Sequence, residues 1–285
     1  MFIWLASYPK SGNTLLRSLL SAYFFSSDGQ FSFDLIKNIK QFPHMPYFKK
    51  IGIDLSNDYE VIKNYIKVQE TFCEKNSIQF LKTHSYLFNI DNKYPFTNLQ
   101  NSLGVIYIVR DPRNVVTSIS KFQNISLESS LKTLIKDTSW GGNPKSSNLA
   151  DKTKVWIGNW SQNYQSWKSF KFQDRYLLIK YEDLIREKEK YFLIILKFIF
   201  KINNSKFILD KKKFNQVLET TSFEKMQKSE KQNGFFESKI DENTKKKIPF
   251  FNLGPKNDWK KLLDDNTKEK IEKTFEKEMK ELNYL

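Results

Sequence analysis

The stretch Phe2-Ile-Trp-Leu-Ala-Ser-Tyr-Pro-Lys-Ser-Gly-Asn-Thr14 decides the fold of this 285-residue chain. Its first seven residues form a short apolar run that predicts a buried β-strand. The residues at 9–14 predict a loop, and apolar residues then recur at helical spacing from Leu15 to Phe24. A strand, a loop of small residues and a helix together hold a phosphate-like anion on backbone N–H groups at the helix N-terminus. The sequence therefore predicts an anion-binding loop at residues 9–14.

Three further apolar runs predict β-strands, and each is followed by polar or charged residues. These runs and their following residues are Ile78–Thr83 with His84, Val105–Val109 with Arg110, and Tyr176–Tyr181 with Glu182 and Asp183. Strands that alternate with helices are typical of an α/β fold with a central, mostly parallel sheet flanked by helices. Ligands bind beyond the carboxyl ends of such strands, so we expect the following residues to converge. With no linker and no internal repeat, the sequence predicts a single domain over residues 1–285.

Helices and loops can be placed between these strands. Asp111 and Pro112 are typical of a helix N-terminus, and the apolar run Tyr191–Phe200 predicts a buried helix. Glycine, proline and serine at 140–148 predict a loop.

Two sets of apolar residues recur at helical spacing in the second half of the chain. The first predicts an aromatic helix face in the core and consists of Trp156, Trp160, Tyr164 and Trp167. The second predicts a last helix that begins at an Asn266 cap and buries Ile271, Phe275, Met279 and Leu282.

The composition excludes several classes of protein. Hydrophobic residues make up 39% and aromatic residues 15% of the chain, which excludes a disordered protein. No apolar run approaches the ~20 residues that span a bilayer, so we expect no membrane span. The single Cys73 excludes an intramolecular disulfide framework, and two histidines are too few for a typical zinc site. With no signal-peptide pattern at its beginning, the chain is expected in the reducing cytoplasm.

The formal net charge of +15 raises the alternative of a non-catalytic nucleic-acid-binding protein. Only five of the 47 basic residues are arginine, however, and the lysines are spread along nearly every helical segment, often beside glutamate. Solvated helix faces account for this pattern, so we expect no nucleic-acid partner.

The loop at 9–14 also raises the alternative of a kinase that uses ATP and magnesium. A P-loop kinase has glycine, four residues, and then Gly-Lys-Ser/Thr, with the lysine after the last glycine. Here Lys10 precedes Gly12, and no first glycine is present. The order of residues favours anion binding without the magnesium-holding arrangement of a kinase.

Five short motifs, taken together and in order, resemble the sulfotransferase family that uses 3′-phosphoadenosine 5′-phosphosulfate (PAPS). The 5′-phosphosulfate loop of that family is matched by Tyr8-Pro-Lys-Ser-Gly-Asn-Thr14, with Asn13 in place of the usual threonine. Its Lys-Thr-His element is present as Lys82-Thr-His84, and its Tyr-Glu-Asp element as Tyr181-Glu-Asp183. The style of the loops is closer to bacterial and cytosolic small-molecule sulfotransferases than to membrane-anchored ones.

The resemblance implies a nucleotide site. It assigns the 5′-phosphosulfate to Lys10, Ser11, Gly12, Asn13 and Thr14. It assigns the 3′-phosphate to Arg110 and Ser118, and the adenosine to Tyr181, Thr221, Phe223 and the turn at Gly254. The family usually has Arg-Lys-Gly where this chain has Asn252-Leu-Gly254. Either Lys256 or the run Lys245–Lys247 then replaces the missing cations, or the donor binds less tightly than usual.

The resemblance also implies a reaction. His84 is expected to act as the general base that takes a proton from a hydroxyl or amine of a small-molecule acceptor. Lys10 is expected to stabilise charge on the bridging oxygen of PAPS, and Lys82 to orient the donor, so that no metal is needed. The acceptor is left open.

Overall fold

A five-stranded parallel sheet forms the centre of the computed structural model, which describes residues 1–74, 77–142, 153–240 and 247–285. The strands are β1 (Phe2–Ala6), β2 (Lys40–Gln41), β3 (Gln79–Thr83), β4 (Asn89–Ile90), β5 (Tyr94–Pro95), β6 (Ser102–Val109), β7 (Ser139–Trp140), β8 (Val155–Trp156), β9 (Tyr176–Lys180), β10 (Lys239–Ile240) and β11 (Lys247–Ile248). The central sheet has the order β2-β3-β1-β6-β9. The other strands form three antiparallel pairs, β4 with β5, β7 with β8 and β10 with β11.

Helices cover both faces of the sheet. They are α1 (Asn13–Phe25), α2 (Phe33–Ile36), α3 (Met45–Lys50), α4 (Asp58–Lys63), α5 (Tyr65–Glu70), α6 (Pro112–Gln123), α7 (Leu127–Ile135), α8 (Trp160–Trp167), α9 (Tyr181–Arg186), α10 (Lys188–Ile202), α11 (Lys211–Thr220), α12 (Phe223–Asn233), α13 (Trp259–Leu262), α14 (Asp265–Thr274) and α15 (Glu276–Glu281). Two 3₁₀-helices cover Lys168–Gln173 and Gly254–Lys256. None of the helices in the described residues is long and apolar enough to cross a membrane.

The alternation of side chains along β1 divides the core into two layers. Trp4 packs on one face with Phe42, Phe96 and Trp167, at ring-centroid distances of 5.9, 5.1 and 6.1 Å. Ile3 and Leu5 point to the other face, in the layer that contains α1 and α10. Because β1 is buried on both faces, its sequence is continuously apolar, as expected of a central parallel strand.

The structure confirms the α/β fold with a parallel sheet and most of the predicted elements. Strand β6 begins at Ser102, three residues before the predicted start, and the Trp4 indole donates to Ser102 Oγ at 2.8 Å. Asp111 caps α6 by accepting from the Arg113 amide, as predicted. The apolar run Tyr191–Phe200 lies in α10, with Phe192, Ile195, Leu196 and Ile199 buried.

Three local predictions are wrong. Trp156 lies on β8 and not on the aromatic helix, because Asn159 and Gln162 form a capping box that starts α8 at Trp160. Trp140 begins the predicted loop but belongs to β7, while 143–148 lie outside the described residues. The predicted last helix is divided into α14 and α15, and α14 is capped by Asp264, whose side chain accepts from the Thr267 amide, and not by Asn266.

Candidate active site

The site is a cavity of about 760 Å³ at the carboxyl ends of the central strands. The chain continues from β1 to β3 on one side of β1 and reaches β6 on the other side, and this change of direction opens a crevice. The predicted site residues that line the cavity are Lys10, Gly12, Asn13, Thr14, Lys82, His84, Arg110, Ser118, Tyr181, Thr221, Phe223 and Gly254. The expected convergence is therefore confirmed for the residues that follow β1, β3 and β6. After β9, Tyr181 lines the cavity and the predicted Glu182 and Asp183 do not. Ser11 is fully buried and does not line the cavity.

The loop between β1 and α1 depends on Gly12. Its φ of +104° lies in the region that L side chains rarely adopt, and a Cβ here would lie 2.4 Å from the Tyr181 ring. Helix α1 begins at Asn13, so the amides of its first turn have no acceptor within the helix. Within the described residues, Ser11 Oγ is buried without a hydrogen-bond partner. Unsatisfied donors at a helix N-terminus are suited to an anion.

His84 is held as a neutral imidazole. Its Nδ1 lies 2.9 Å from the Ser7 carbonyl oxygen, and since a carbonyl only accepts, Nδ1 carries the proton. Nε2 is then the nitrogen with the free lone pair. Burial and the neighbouring Lys82 lower the pKa of His84 to about 3. The side chain can accept a proton at Nε2 and is fixed in the orientation for it.

Asn13 connects this histidine to α1. The side-chain amide of Asn13 donates from Nδ2 to the Leu5 carbonyl at 2.9 Å and to Ser7 Oγ at 3.2 Å. Its Oδ1 accepts from Arg17 Nε at 3.1 Å, and Ser7 Oγ lies 3.2 Å from His84 Nδ1. The Asn13 side chain is thus used within the protein, and its backbone amide is the group left for a ligand.

Lys10 and Arg110 bring positive charge to the mouth of the loop. The Lys10 ammonium lies 3.7 and 4.2 Å from the ring centroids of Phe122 and Phe250. Burial lowers the pKa of Lys10 to about 7; Glu237 acts in the opposite sense, while neighbouring cations add to the lowering. Arg110 donates to the Lys10 carbonyl at 3.1 Å and stacks over the Tyr181 ring at 4.3 Å. In the described residues, Arg110 Nε is buried without a partner.

The sequence analysis missed Glu237, which enters this cationic loop from a distant part of the chain. Its carboxylate accepts from Arg17 at 2.8 and 2.9 Å and from Thr14 Oγ1 at 3.3 Å. Lys82 Nζ lies 3.6 Å from Oε1. Burial alone would raise the pKa of Glu237, but Arg17 and Lys82 outweigh it and lower the pKa to about 2. Arg17 was also missed, because an arginine on an apolar helix face carries no recognisable signal.

A second part of the cavity is flat and aromatic. Gly254 has a φ of +53°, and a Cβ there would lie 2.1 Å from the Phe223 ring. Thr221 is fully buried and donates its hydroxyl to the Val217 carbonyl at 2.6 Å. The Phe223 and Tyr181 rings both line the cavity.

The structure does not bring Lys256 into the cavity. Neighbouring Asn257 accepts from Thr117 Oγ1 at 2.9 Å and donates to the Asn114 carbonyl at 2.9 Å, and Lys256 is exposed. Lys245 and Lys246 lie outside the described residues, and Lys247 is exposed on β11. The cations that do line this part of the cavity are Lys121, Lys188 and Lys239. Lys121 stands one turn beyond Ser118 on α6, a spacing that could have been read from the sequence.

The segment that contains α2 and α3 also lines the cavity. Its lining residues are the apolar or aromatic Ile36, Ile39 and Tyr47 and the polar Lys37, Lys40 and Gln41. His44 of the same segment lines the cavity too, and its Nδ1 is buried without a partner among the described residues. Nowhere in the described residues is a group of three or more His, Cys, Asp or Glu side chains placed to hold a metal ion.

A parallel α/β sheet with an anion-binding loop after β1, a neutral histidine after β3 and an arginine after β6 defines a class of group-transfer proteins. Comparison with known proteins identifies the family. The sequence profile described as "Sulfotransferase domain" matches residues 2–283. The chain therefore belongs to the sulfotransferase family, and it is an enzyme of that family.

Curated relatives agree with this assignment. The chain is 23% identical to human sulfotransferase 1E1 over 278 residues, which cover 97% of this chain and 83% of the relative. It is 26% identical to sulfotransferase 2A1 of Macaca fascicularis over 189 residues, which cover 66% of this chain and 61% of the relative. Mouse sulfotransferase 1 family member D1 is 23% identical over 284 residues, which cover 98% of this chain and 83% of the relative.

Solved structures share the fold. Mouse sulfotransferase SULT7A1 complexed with PAP superimposes with a TM-score of 0.57 at 18% identity, covering 97% of this chain and 83% of that one. Retinol dehydratase in complex with androsterone and inactive cofactor PAP gives a TM-score of 0.59 at 14% identity, with coverages of 98% and 80%.

Proposed function

We propose that this protein transfers a sulfuryl group from PAPS to a hydroxyl or amine of a small molecule. The observation that carries the proposal is the convergence of the loop at 9–14, His84, Arg110 and Ser118 on one cavity. The donor supplies the activated sulfuryl group, which passes to the acceptor by in-line displacement. The domain proposed for this activity is the whole chain, residues 1–285.

The unsatisfied polar groups of the loop fit the anionic part of the donor. The Ser11 hydroxyl and Arg110 Nε are buried donors without partners among the described residues. We assign the 5′-phosphosulfate to the Ser11 hydroxyl, to the first-turn amides of Gly12, Asn13 and Thr14, and to Lys10, and we assign Arg110 to the 3′-phosphate. Fixed donors aimed at a site of developing charge need no reorganisation during the reaction, which is why such sites favour the transition state.

The roles of the three catalytic side chains follow from their chemistry. His84 accepts the acceptor's proton at Nε2, while Ser7 holds the proton on Nδ1. Lys10 stabilises the negative charge that the leaving 5′-phosphate gains. Lys82 lies 3.6 Å from the Glu237 carboxylate and orients the sulfuryl oxygens by the same attraction. Lysine charge takes the place that magnesium has in a kinase.

The remaining nucleotide contacts rest on the second part of the cavity. Arg110 and Ser118 bind the 3′-phosphate, and Lys121 or Lys188 supplies the cation that the segment Asn252-Leu-Gly254 lacks. The adenine lies against Tyr181, Thr221, Phe223 and Gly254.

The acceptor occupies the part of the cavity lined by the segment of α2 and α3, next to His84. The isoleucine and tyrosine side chains of this segment suit a small molecule with an apolar body. We place the reaction in the cytoplasm, in keeping with the single thiol of the chain.

Binding of adenosine 3′,5′-bisphosphate, compared with binding of 5′-AMP, tests the proposal. Wild type should prefer the bisphosphate and gain thermal stability from it, whereas ATP with magnesium should not have this effect. Arg110→Ala should abolish the preference for the bisphosphate over 5′-AMP, whereas Ser118→Ala should only reduce it. A charged hydrogen bond contributes about 1.5–3 kcal/mol and a neutral one about 0.5–1.5 kcal/mol. Lys256→Ala is the matched surface control and should leave the preference unchanged.

The turnover assay completes the test. With labelled PAPS and a panel of phenols, alcohols and amines, transfer should survive excess EDTA. No preference for the bisphosphate in wild type, or transfer that depends on magnesium and ATP, would contradict the proposal.

A further inference from the structure

The carboxylate of Glu237 contacts the anion-binding loop. Its two oxygens contact Arg17 at 2.8 and 2.9 Å, and Oε2 accepts from the Thr14 hydroxyl at 3.3 Å. Oε1 lies 3.6 Å from Lys82. The Arg17 and Glu237 side chains are 3% and 19% exposed, so water screens their interaction poorly.

These partners overlap with the groups that the proposed function assigns to the donor. Thr14 is in the first turn of α1, and Lys82 precedes His84 by two residues. The Thr14 hydroxyl has one proton to donate, and Glu237 takes it. An ionised carboxylate and a phosphate or sulfuryl oxygen are the same kind of acceptor, so both cannot use this hydroxyl at once. Ser11 Oγ and Arg110 Nε, which Glu237 does not reach, stay without partners in the described part of the chain.

The position of Glu237 in the fold allows it to leave. It lies between α12 (Phe223–Asn233) and β10 (Lys239–Ile240), and Gly234 at the end of α12 has a φ of +75°. Neighbouring Phe236 is 48% exposed, whereas Phe235 is buried in the core. The segment is anchored on both sides of Glu237, by buried Phe235 and by the bond from the Ser238 hydroxyl to Glu230. Rotation of the Glu237 side chain therefore releases the loop without unfolding any element.

We infer that Glu237 is an internal competitor of the donor, whose carboxylate occupies the Thr14, Arg17 and Lys82 side of the loop in the free protein and is released when the donor's anion binds. The inference rests on the proposed function for the identity of that anion. It assigns to Glu237 a part in setting donor affinity that no sequence motif indicates.

Competition of this kind lowers the apparent affinity by the fraction of molecules in which the loop is open. If the carboxylate occupies the loop nine times in ten, the apparent dissociation constant rises about tenfold. Removal of the negative charge should restore that factor, because no carboxylate then competes with the donor's anion for Thr14, Arg17 and Lys82.

The experiment measures binding of two probes, adenosine 3′,5′-bisphosphate and inorganic pyrophosphate, by calorimetry in low-salt buffer. Glu237→Gln and Glu237→Ala should each bind both probes about tenfold more tightly than wild type. In the absence of a probe, both variants should melt at a lower temperature, because buried Arg17 loses its partner. The probe should then raise the melting temperature of the variants more than that of wild type.

Glu278→Gln is the matched control. Glu278 is also a buried carboxylate, but it lies on α15, accepts from the Gln165 side chain at 3.0 Å and does not line the cavity. This variant should be less stable than wild type, with unchanged affinity for both probes.

The outcomes separate the inference from the proposed function. Unchanged or weaker binding in both Glu237 variants overturns the inference, even if wild type prefers the bisphosphate. Tighter binding of pyrophosphate alone supports internal competition but contradicts the nucleotide assignment. If the variants do not fold, a crystal structure of wild type with the bisphosphate decides: Glu237 still bonded to Thr14 Oγ1 would overturn the inference.

Discussion

At the scale of single residues, the site contains two ionisable side chains whose pKa values are lowered by burial. Burial and the neighbouring Lys82 lower the pKa of His84 to about 3, so its imidazole is neutral, and the Ser7 carbonyl selects the tautomer with a free lone pair on Nε2. Burial, with a smaller effect of neighbouring cations, lowers the pKa of Lys10 to about 7. The charge of Lys10 therefore depends on pH near neutrality, whereas that of His84 does not.

Replacement of His84 by alanine should abolish turnover and leave donor affinity nearly unchanged. Loss of a general base costs about 10²–10⁴ in rate, whereas the donor is held by the loop and by Arg110. The measurement is single-turnover transfer with labelled PAPS, alongside bisphosphate binding as the internal control. Turnover retained with any acceptor would show that another group takes the proton.

Affinity for the bisphosphate should fall as the pH rises through about 7. The pKa of Lys10 is lowered to about 7, so Lys10 is charged below that pH and loses its charge above it. Phosphate groups are already fully ionised there, since their second pKa is about 6, and they cannot cause the fall. The dissociation constant is measured from pH 7 to 9.

Lys10→Arg is the control, because arginine keeps its charge over this range. Lys188 also lines the cavity, and burial lowers its pKa to about 8, so any dependence that remains in the variant belongs to Lys188. A pH-independent affinity in wild type would contradict the role of Lys10.

At the scale of elements, the turn from β1 into α1 is shaped by the absence of a side chain at Gly12. The Tyr181 ring at the start of α9 packs where a Cβ would lie, so two elements 169 positions apart in numbering define one wall of the site. Gly254 and Phe223 repeat the arrangement, because a Cβ on Gly254 would overlap the Phe223 ring. Close approach of backbone to ring thus shapes two parts of the cavity wall.

Gly12→Ala should destabilise the protein and impair bisphosphate binding. A positive φ costs a non-glycine residue about 1–2 kcal/mol, and the contact with Tyr181 adds about 1–3 kcal/mol of overpacking. Gly52→Ala is the matched control, because Gly52 has a φ of +73° and nothing within 4 Å of the added Cβ. Urea unfolding of Gly52→Ala should show only the destabilisation due to the positive φ. Calorimetry should show normal binding of the bisphosphate. Equal losses in the two variants would contradict the packing argument.

At the scale of the whole molecule, the C-terminal residues hold the site together. Tyr284 accepts from Arg113 through its carbonyl and donates its hydroxyl to Glu182, both at 2.8 Å. Glu182 in turn accepts from the Asp111 amide at 3.0 Å. Helix α6 starts just after Arg110, and helix α9 starts at Tyr181. Tyr284 thus connects the N-termini of these two helices through its hydrogen bonds.

Tyr284→Phe should lower the free energy of unfolding by about 1.5–3 kcal/mol, since a hydrogen bond to a charged, buried carboxylate is lost. Tyr176→Phe is the control: the Tyr176 hydroxyl is buried without a partner in the described residues, so its removal should be neutral or stabilising. Denaturant unfolding of both variants measures the difference. Equal stability of the two variants would show that the bond to Glu182 contributes nothing.

Four strands of the central sheet, the loop after β1 and the order of the site residues could be predicted from the sequence alone, whereas the short strand β2 and the three antiparallel pairs could not. The features that could be predicted depend on local periodicity and on small residues at turns, and both can be read in a window of about ten residues. Even the local errors were small: the cap of α14 lies at Asp264 and not at Asn266, and Trp156 lies on a strand just before the aromatic helix.

Which distant residues complete the cavity depends on the tertiary structure. Glu237 meets Arg17 across 220 positions of sequence, and Tyr284 meets Arg113 across 171. Lys256 is close in sequence to the cavity-lining Gly254, but its side chain is exposed, because the neighbouring Asn257 is hydrogen-bonded to α6. Long-range contacts of this kind depend on the packing of whole elements, which no local pattern of residue types encodes.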